Sequence, residues 1–144
     1  MTDLYDRLTA RHMRVMEIPE WSNYLLNKWE ETFVSHLSDE EKESIYLHSD
    51  RYSCGFLWHV FSWERTDRLV GEKAKELFQK QRKRECFVFY QLREDVLLVE
   101  NASRLRVEDL LDEEDVYIVD KDFTWTYVQT HDSEELGPYF TYKS

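Results

Sequence analysis

DVYIVDKDFTWTYVQTH, residues Asp115 to His131, decides how the rest of the chain is read. Two runs dense in β-branched and aromatic residues flank a polar turn, Asp120-Lys121-Asp122, which is the pattern of a β-hairpin. Strand side chains alternate, so Phe123, Trp125 and Tyr127 are expected on one face of the second strand and Thr124, Thr126 and Val128 on the other. A two-stranded hairpin is marginal alone in water, so another part of the chain has to cover that aromatic face.

Working outward, Phe56–Ser62 and Cys86–Gln91 are nearly continuous apolar runs, expected as central strands covered on both faces. With Val116–Val119 and Phe123–Thr130 they make one sheet, and Val96 to Val99 pairs back as a short strand. Leu4, Tyr5 and Leu8 suit a short first helix, and Met13 to Ile18 either a short extended segment or a continuation of that helix. Pro19 is a good first helical residue. Behind it Trp21, Leu25, Trp29, Phe33 and Leu37, spaced by four with Tyr24 at their flank, form an apolar stripe. This helix, Glu20 to Leu37, is the first candidate to cover the hairpin. Ser38 and Glu41 form a capping-box pattern for a new short helix. Leu69, Val70, Ala74, Leu77 and Phe78 form the inner face of a further helix, with Lys73, Lys75, Lys80, Arg82 and Lys83 outside and Gly71 a weak point. Leu105, Val107, Leu110 and Leu111 suggest another short helix, and Tyr139, Phe140 and Tyr142 dock back after the Gly137-Pro138 turn. The expected fold class is α+β: a largely antiparallel central sheet of about four to six strands with helices mainly on one face, in a single domain over residues 1–144.

Composition bounds the function. The chain has 144 residues, 42% of them hydrophobic and 15% aromatic, enough for one well-filled core. Three glycines and two prolines leave no long flexible linker. The net charge is −11, from 30 acidic and 19 basic residues. Such a field repels nucleic-acid phosphates and anionic lipid and suits a basic protein partner. The N-terminal stretch MTDLYDRLTARH lacks the apolar core of a signal peptide, and no apolar run approaches a membrane span, so a cytoplasmic protein is expected. Cys54 and Cys86 are expected as reduced, buried thiols.

Motifs that carry chemistry are sparse. The histidines, His12, His36, His48, His59 and His131, are scattered, and neither C-x-x-C nor H-E-x-x-H occurs, so no metal is expected. The three glycines do not cluster into a phosphate cradle, and no cofactor is expected. Neither cysteine carries a nucleophile signature. What stands out is a surplus of Trp and Tyr, side chains whose polar handles favour an edge position. The leading expectation is therefore a non-enzymatic interaction protein, of which an immunity-type inhibitor is one form. It would bind a basic protein through an acidic, aromatic-rich face drawn from Trp58, His59, Tyr90, Trp125, Tyr127 and His131. The alternative is an enzyme or small-molecule binder with a pocket around His59, Tyr90, Trp125 and His131.

LWHVFSW at Leu57–Trp63, CFVFYQ at Cys86–Gln91, DVYIVDKDFTWTYVQTHD at Asp115–Asp132 and GPYF at Gly137–Phe140 together resemble a family of short proteins from Gram-positive bacteria, catalogued as domain of unknown function 4275. The resemblance runs from around Met13 to Phe140, and its more specific parts are the WTYV-x-TH and GPYF blocks. It implies a small, single-domain bacterial protein and brings no activity and no catalytic residue with it.

Overall fold

The hairpin forms and lies within a larger sheet. The computed structural model describes residues 3–34, 38, 40, 68–90, 93–110, 113–130 and 138–143. Along them run α1 (Asp3–Ala10), β1 (Val15–Glu17), α2 (Ser22–Phe33), β2 (Leu69–Val70), α3 (Glu72–Lys80), β3 (Cys86–Tyr90), β4 (Val96–Val99), β5 (Val116–Asp120), β6 (Trp125–Gln129) and β7 (Tyr139–Tyr142). Short 3-10 turns at Pro19–Trp21, Ala102–Arg104 and Val107–Leu110 join them. The expected strand at Phe56–Ser62, the short helix after Ser38 and Cys54 lie outside the described residues.

The sheet has seven strands in the order β1-β4-β3-β5-β6-β7-β2, with every neighbouring pair antiparallel. The class is α+β, as expected, with a strand count slightly above the expected range. β3 sits near the middle, and all five of its residues are buried. Phe87 and Phe89 point to one face and Cys86, Val88 and Tyr90 to the other, which explains why the run carries no polar alternation.

Each face has its own core. On one, Leu4 and Leu8 of α1 and Ala74 and Phe78 of α3 pack on Val88, Ile118, Trp125, Tyr127 and Phe140. On the other, Leu25, Trp29 and Phe33 of α2 pack on Phe89, Tyr117, Val119 and Val128. The α2 stripe is therefore core at Leu25, Trp29 and Phe33, but it covers the opposite face of the hairpin from the one expected. The Trp29 indole Nε1 donates to Thr126 Oγ1 at 2.9 Å, and that hydroxyl donates to the Ile118 carbonyl at 3.0 Å. Trp125 and Tyr127 instead meet Phe78 of α3, with Tyr127 stacked on it at a centroid distance of 4.5 Å and Trp125 edge-on at 5.8 Å.

Phe123 does not share their face. It has φ 55°, in the left-handed region, and packs in the α2 core. The turn is built around Asp120, whose carboxylate accepts the backbone N–H of Thr124 at 2.6 Å and of Trp125 at 3.1 Å. These bonds hold residues 121–124 out of the ladder, so β6 starts at Trp125 and the alternation starts with it.

Two other departures have local causes. Leu69 and Val70 form β2 opposite Phe140 and Tyr139 instead of opening α3. Gly71, at φ 67°, makes the corner between them, its N–H donating to the Pro138 carbonyl at 2.9 Å. Lys83 is buried, not outside, because α3 ends at Lys80 and helical spacing no longer applies beyond it. Its Nζ donates to the Phe78 carbonyl at 2.7 Å and lies 4.5 Å from the centre of the Phe78 ring. At the end of α1, His12 takes φ 64°, with His12 N–H donating to Thr9 and Met13 N–H to Leu8, a Schellman closure in which Leu8 and Met13 are both buried.

Candidate functional site

Of the side chains singled out in the sequence, Tyr90, Trp125 and Tyr127 are all buried on the α1–α3 face of the sheet. Trp58, His59 and His131 lie outside the described residues. The three described side chains share a face but not a site. Tyr90 stands opposite Val116, which stands opposite Gln129, whereas Trp125 is four residues away along β6 and stacks on Phe140. Burial, and after it the nearby Glu72 carboxylate, push the Tyr127 phenol well above its ordinary value. These rings form the core between sheet and helices.

Around Tyr90 the sheet carries a buried polar cluster. The Tyr90 hydroxyl donates to Glu113 Oε1, and Arg7 of α1 donates to Glu113 Oε2 at 2.8 Å. Gln129 Nε2 donates to the Leu110 carbonyl and, at 3.0 Å, to the Glu113 carbonyl. Beside it the buried Asp109 carboxylate pairs with Arg11 and accepts the Arg106 N–H at 2.9 Å. Arg93 covers the Tyr90 ring at 4.2 Å and pairs with Asp95 at 2.7 Å. Burial, then the bond to Glu113, push the Tyr90 phenol above its ordinary range, so its proton stays on oxygen at neutral pH. A saturated carboxylate and a protonated phenol tie α1 and the Val107–Leu110 turn to the sheet; they do not present a base or a nucleophile. Among the described residues no group of three or more His, Cys, Asp or Glu side chains could hold a metal ion.

Among the described residues the larger exposed aromatic surface is elsewhere, at the start of α2. Trp21 is 42% exposed, Tyr24 53% and Met16 49%. Trp21 stacks on Phe87 at 6.0 Å and 23°, and meets Tyr24 edge-on at 5.5 Å. Its base is the cross-strand row Met16–Leu98–Phe87–Val119, which runs from the edge strand inward beneath α2 and grows more buried along the way. Lys28 lies over the rings of Tyr24 and Phe123 at 5.8 and 5.0 Å. Glu20 is exposed next to Trp21, and Glu17 is exposed on the opposite face of β1; neither pairs with a cation among the described residues. A smaller exposed pair, Val70 and Tyr142, occupies the far edge of the sheet, where Arg68, Leu69, Phe140, Thr141 and Tyr142 line a hollow of about 270 Å³.

The sequence placed Trp21 in the buried stripe because it precedes Leu25 by four residues. Pro19 instead opens a 3-10 turn, and Trp21 sits at the N-cap of α2, one residue before helical spacing begins. Pro19 was the available signal, since a proline two residues ahead marks the uncertain start of a helix.

Among the described residues no helix is long and apolar enough to cross a membrane. No curated protein and no solved structure matches the chain. The family model described as Domain of unknown function (DUF4275) matches residues 2–140, from the start of α1 into β7, and the chain belongs to that family.

Proposed function

We propose that this protein is a cytoplasmic, non-enzymatic binding protein that engages a basic protein partner through the Trp21–Tyr24 ledge. The observation that carries the reading is an aromatic pair half in solvent, anchored on the core through Phe87, with the exposed carboxylate of Glu20 next to it and unpaired among the described residues. Trp and Tyr expose large rigid area with few rotatable bonds, and such residues dominate binding energy when a partner desolvates them. Here the packing on Phe87 and Tyr24 fixes the Trp21 ring before any partner arrives, which reduces the ordering cost of association. The net charge of −11 draws in a basic partner and speeds encounter, the acidic rim sets orientation, and added salt weakens both effects. An immunity-type inhibitor that covers a basic toxin or nuclease is one form such a protein takes.

The test is affinity capture with the tagged protein, a Trp21→Ala/Tyr24→Ala double variant, and a Val70→Ala/Tyr142→Ala control. Partners are identified by mass spectrometry, and affinity is measured on the purified partner. The ledge variant should lose binding by about 30-fold or more while melting close to the parent, since hot-spot truncation costs about 2 kcal/mol or more. The control should bind as the parent does, and raised salt should weaken the complex. Equal binding by the ledge variant, or a partner that binds independently of salt, contradicts the reading.

A further inference from the structure

β1 closes one side of the sheet, and no described strand pairs with its outer edge. Its register on β4 sets Val15 opposite Val99, Met16 opposite Leu98 and Glu17 opposite Leu97. The ladder bonds at the two ends, Glu100 N–H to the Arg14 carbonyl and Ile18 N–H to the Val96 carbonyl, both at 2.9 Å, fix which residues face inward. Antiparallel pairs alternate between bonded and non-bonded positions, so Arg14, Met16 and Ile18 bond to β4. The N–H and C=O of Val15 and Glu17 therefore point away from the sheet, toward solvent.

The side chains beside that open edge alternate too. Met16 lies on the α2 face and continues the apolar row of Leu98 and Phe87 beneath Trp21. Glu17 lies on the other face, exposed, and shares a small hollow with Asp95 and Pro19. A strand laid along β1 would meet an apolar row on one face and, on the other, a carboxylate that pairs with no cation among the described residues. We infer that β1 is a strand-addition site for an extended segment of the partner protein in which apolar side chains alternate with lysine or arginine. The apolar ones cover Met16 and Leu98 beside Trp21, and a basic one meets Glu17. This rests on the ledge reading above and adds to it a backbone contact and a sequence pattern for the partner. A second copy of the chain fits the edge less well, because it would bring together two molecules each of net charge −11.

The probe is an acetylated, amidated hexapeptide of alternating lysine and isoleucine, titrated into the full chain and followed by amide NMR. Two companions carry backbone N-methyl groups, on the three lysines or on the three isoleucines, and a fourth has glutamate for lysine. The expected result is saturable shifts at the Val15 and Glu17 amides, with one of the two methylated peptides about tenfold weaker, the loss of a few backbone hydrogen bonds. The glutamate peptide should not bind. Val15→Pro, which removes an outward N–H, should weaken the parent peptide by about tenfold as well, whereas Val15→Ala, which removes the same core-packed side chain and keeps the N–H, should bind as the parent chain does. If both methylated peptides bind like the parent and the shifts sit on Trp21 and Tyr24, strand addition is wrong and the ledge reading survives. If the parent peptide does not bind, strand addition by this class of segment is wrong, and the ledge stands or falls on the capture experiment. A dimer in sedimentation that Val15→Pro dissolves assigns the edge to a second copy and also overturns the inference.

Discussion

Glu113 is almost wholly removed from water, yet its carboxylate is satisfied by Arg7, 106 positions earlier in the chain, and by the Tyr90 hydroxyl. Tyr90→Phe keeps the ring but takes one donor from a buried carboxylate, so it should cost about 1–3 kcal/mol in a urea melt. A loss below about 0.5 kcal/mol would show that the pair is solvated. Burial also pushes the Cys86 thiol from its ordinary 9.0 up to about 12, and raises the Tyr90 and Tyr127 phenols from 10.0. Each raised acid holds its proton in the folded chain at a pH where the unfolded chain has lost it. Stability from this source is complete below about pH 9 and falls as pH rises, by up to about 1.4 kcal/mol per pH unit per group. Lys83, lowered from 10.5 by burial, opposes the trend, but it is one amine against a thiol and two phenols. The urea midpoint should therefore drop between pH 9 and 11, and a flat or rising midpoint contradicts the burial of these groups. None of this cluster was legible in the sequence. A carboxylate whose partners lie far off in the chain leaves no local pattern.

At the scale of elements, strand patterns were read well at the described runs whose burial is two-sided. Cys86–Tyr90 and residues 116–119 are continuous apolar runs because α1 and α3 cover one face and α2 the other. Periodicity failed where a single backbone torsion interrupts it, at Phe123 and at Gly71. The helix that covers Trp125 and Tyr127 is α3, through Phe78, and not the longer and more regular α2. Phe78→Ala should cost about 3–5 kcal/mol, the sum of lost burial and a cavity between helix and sheet. A loss under 1 kcal/mol by chemical denaturation would put α3 off the hairpin. His12 holds the left-handed corner after α1, a conformation that costs a non-glycine residue about 1 kcal/mol. His12→Gly should raise stability by about 0.5–1 kcal/mol, and a lowered melting temperature would show that the imidazole makes a contact worth more than the strain.

For the whole molecule, the sheet separates two cores, and the surface proposed for recognition lies where the second of them runs out from under α2. The surplus of aromatic residues was a correct reason to expect exposed rings, but composition does not say which ones. The hairpin's Trp125 and Tyr127 are consumed by the α3 interface, while Trp21 and Tyr24 stay at the rim. The α+β class and the antiparallel sheet were readable from strand patterning, whereas the candidate surface depended on where one helix starts. The most direct test of this arrangement reads solvent access at three tryptophans together. Protein labelled with 5-fluorotryptophan, its resonances assigned by Trp21→Phe, Trp29→Phe and Trp125→Phe variants, is titrated with a neutral soluble paramagnet and followed by fluorine NMR. Trp21 should broaden strongly while Trp29 and Trp125 stay sharp, in keeping with exposures of 42%, 0% and 4%. A Trp125 resonance that broadens while Trp21 stays sharp would return the hairpin's aromatic face to the surface and contradict the account.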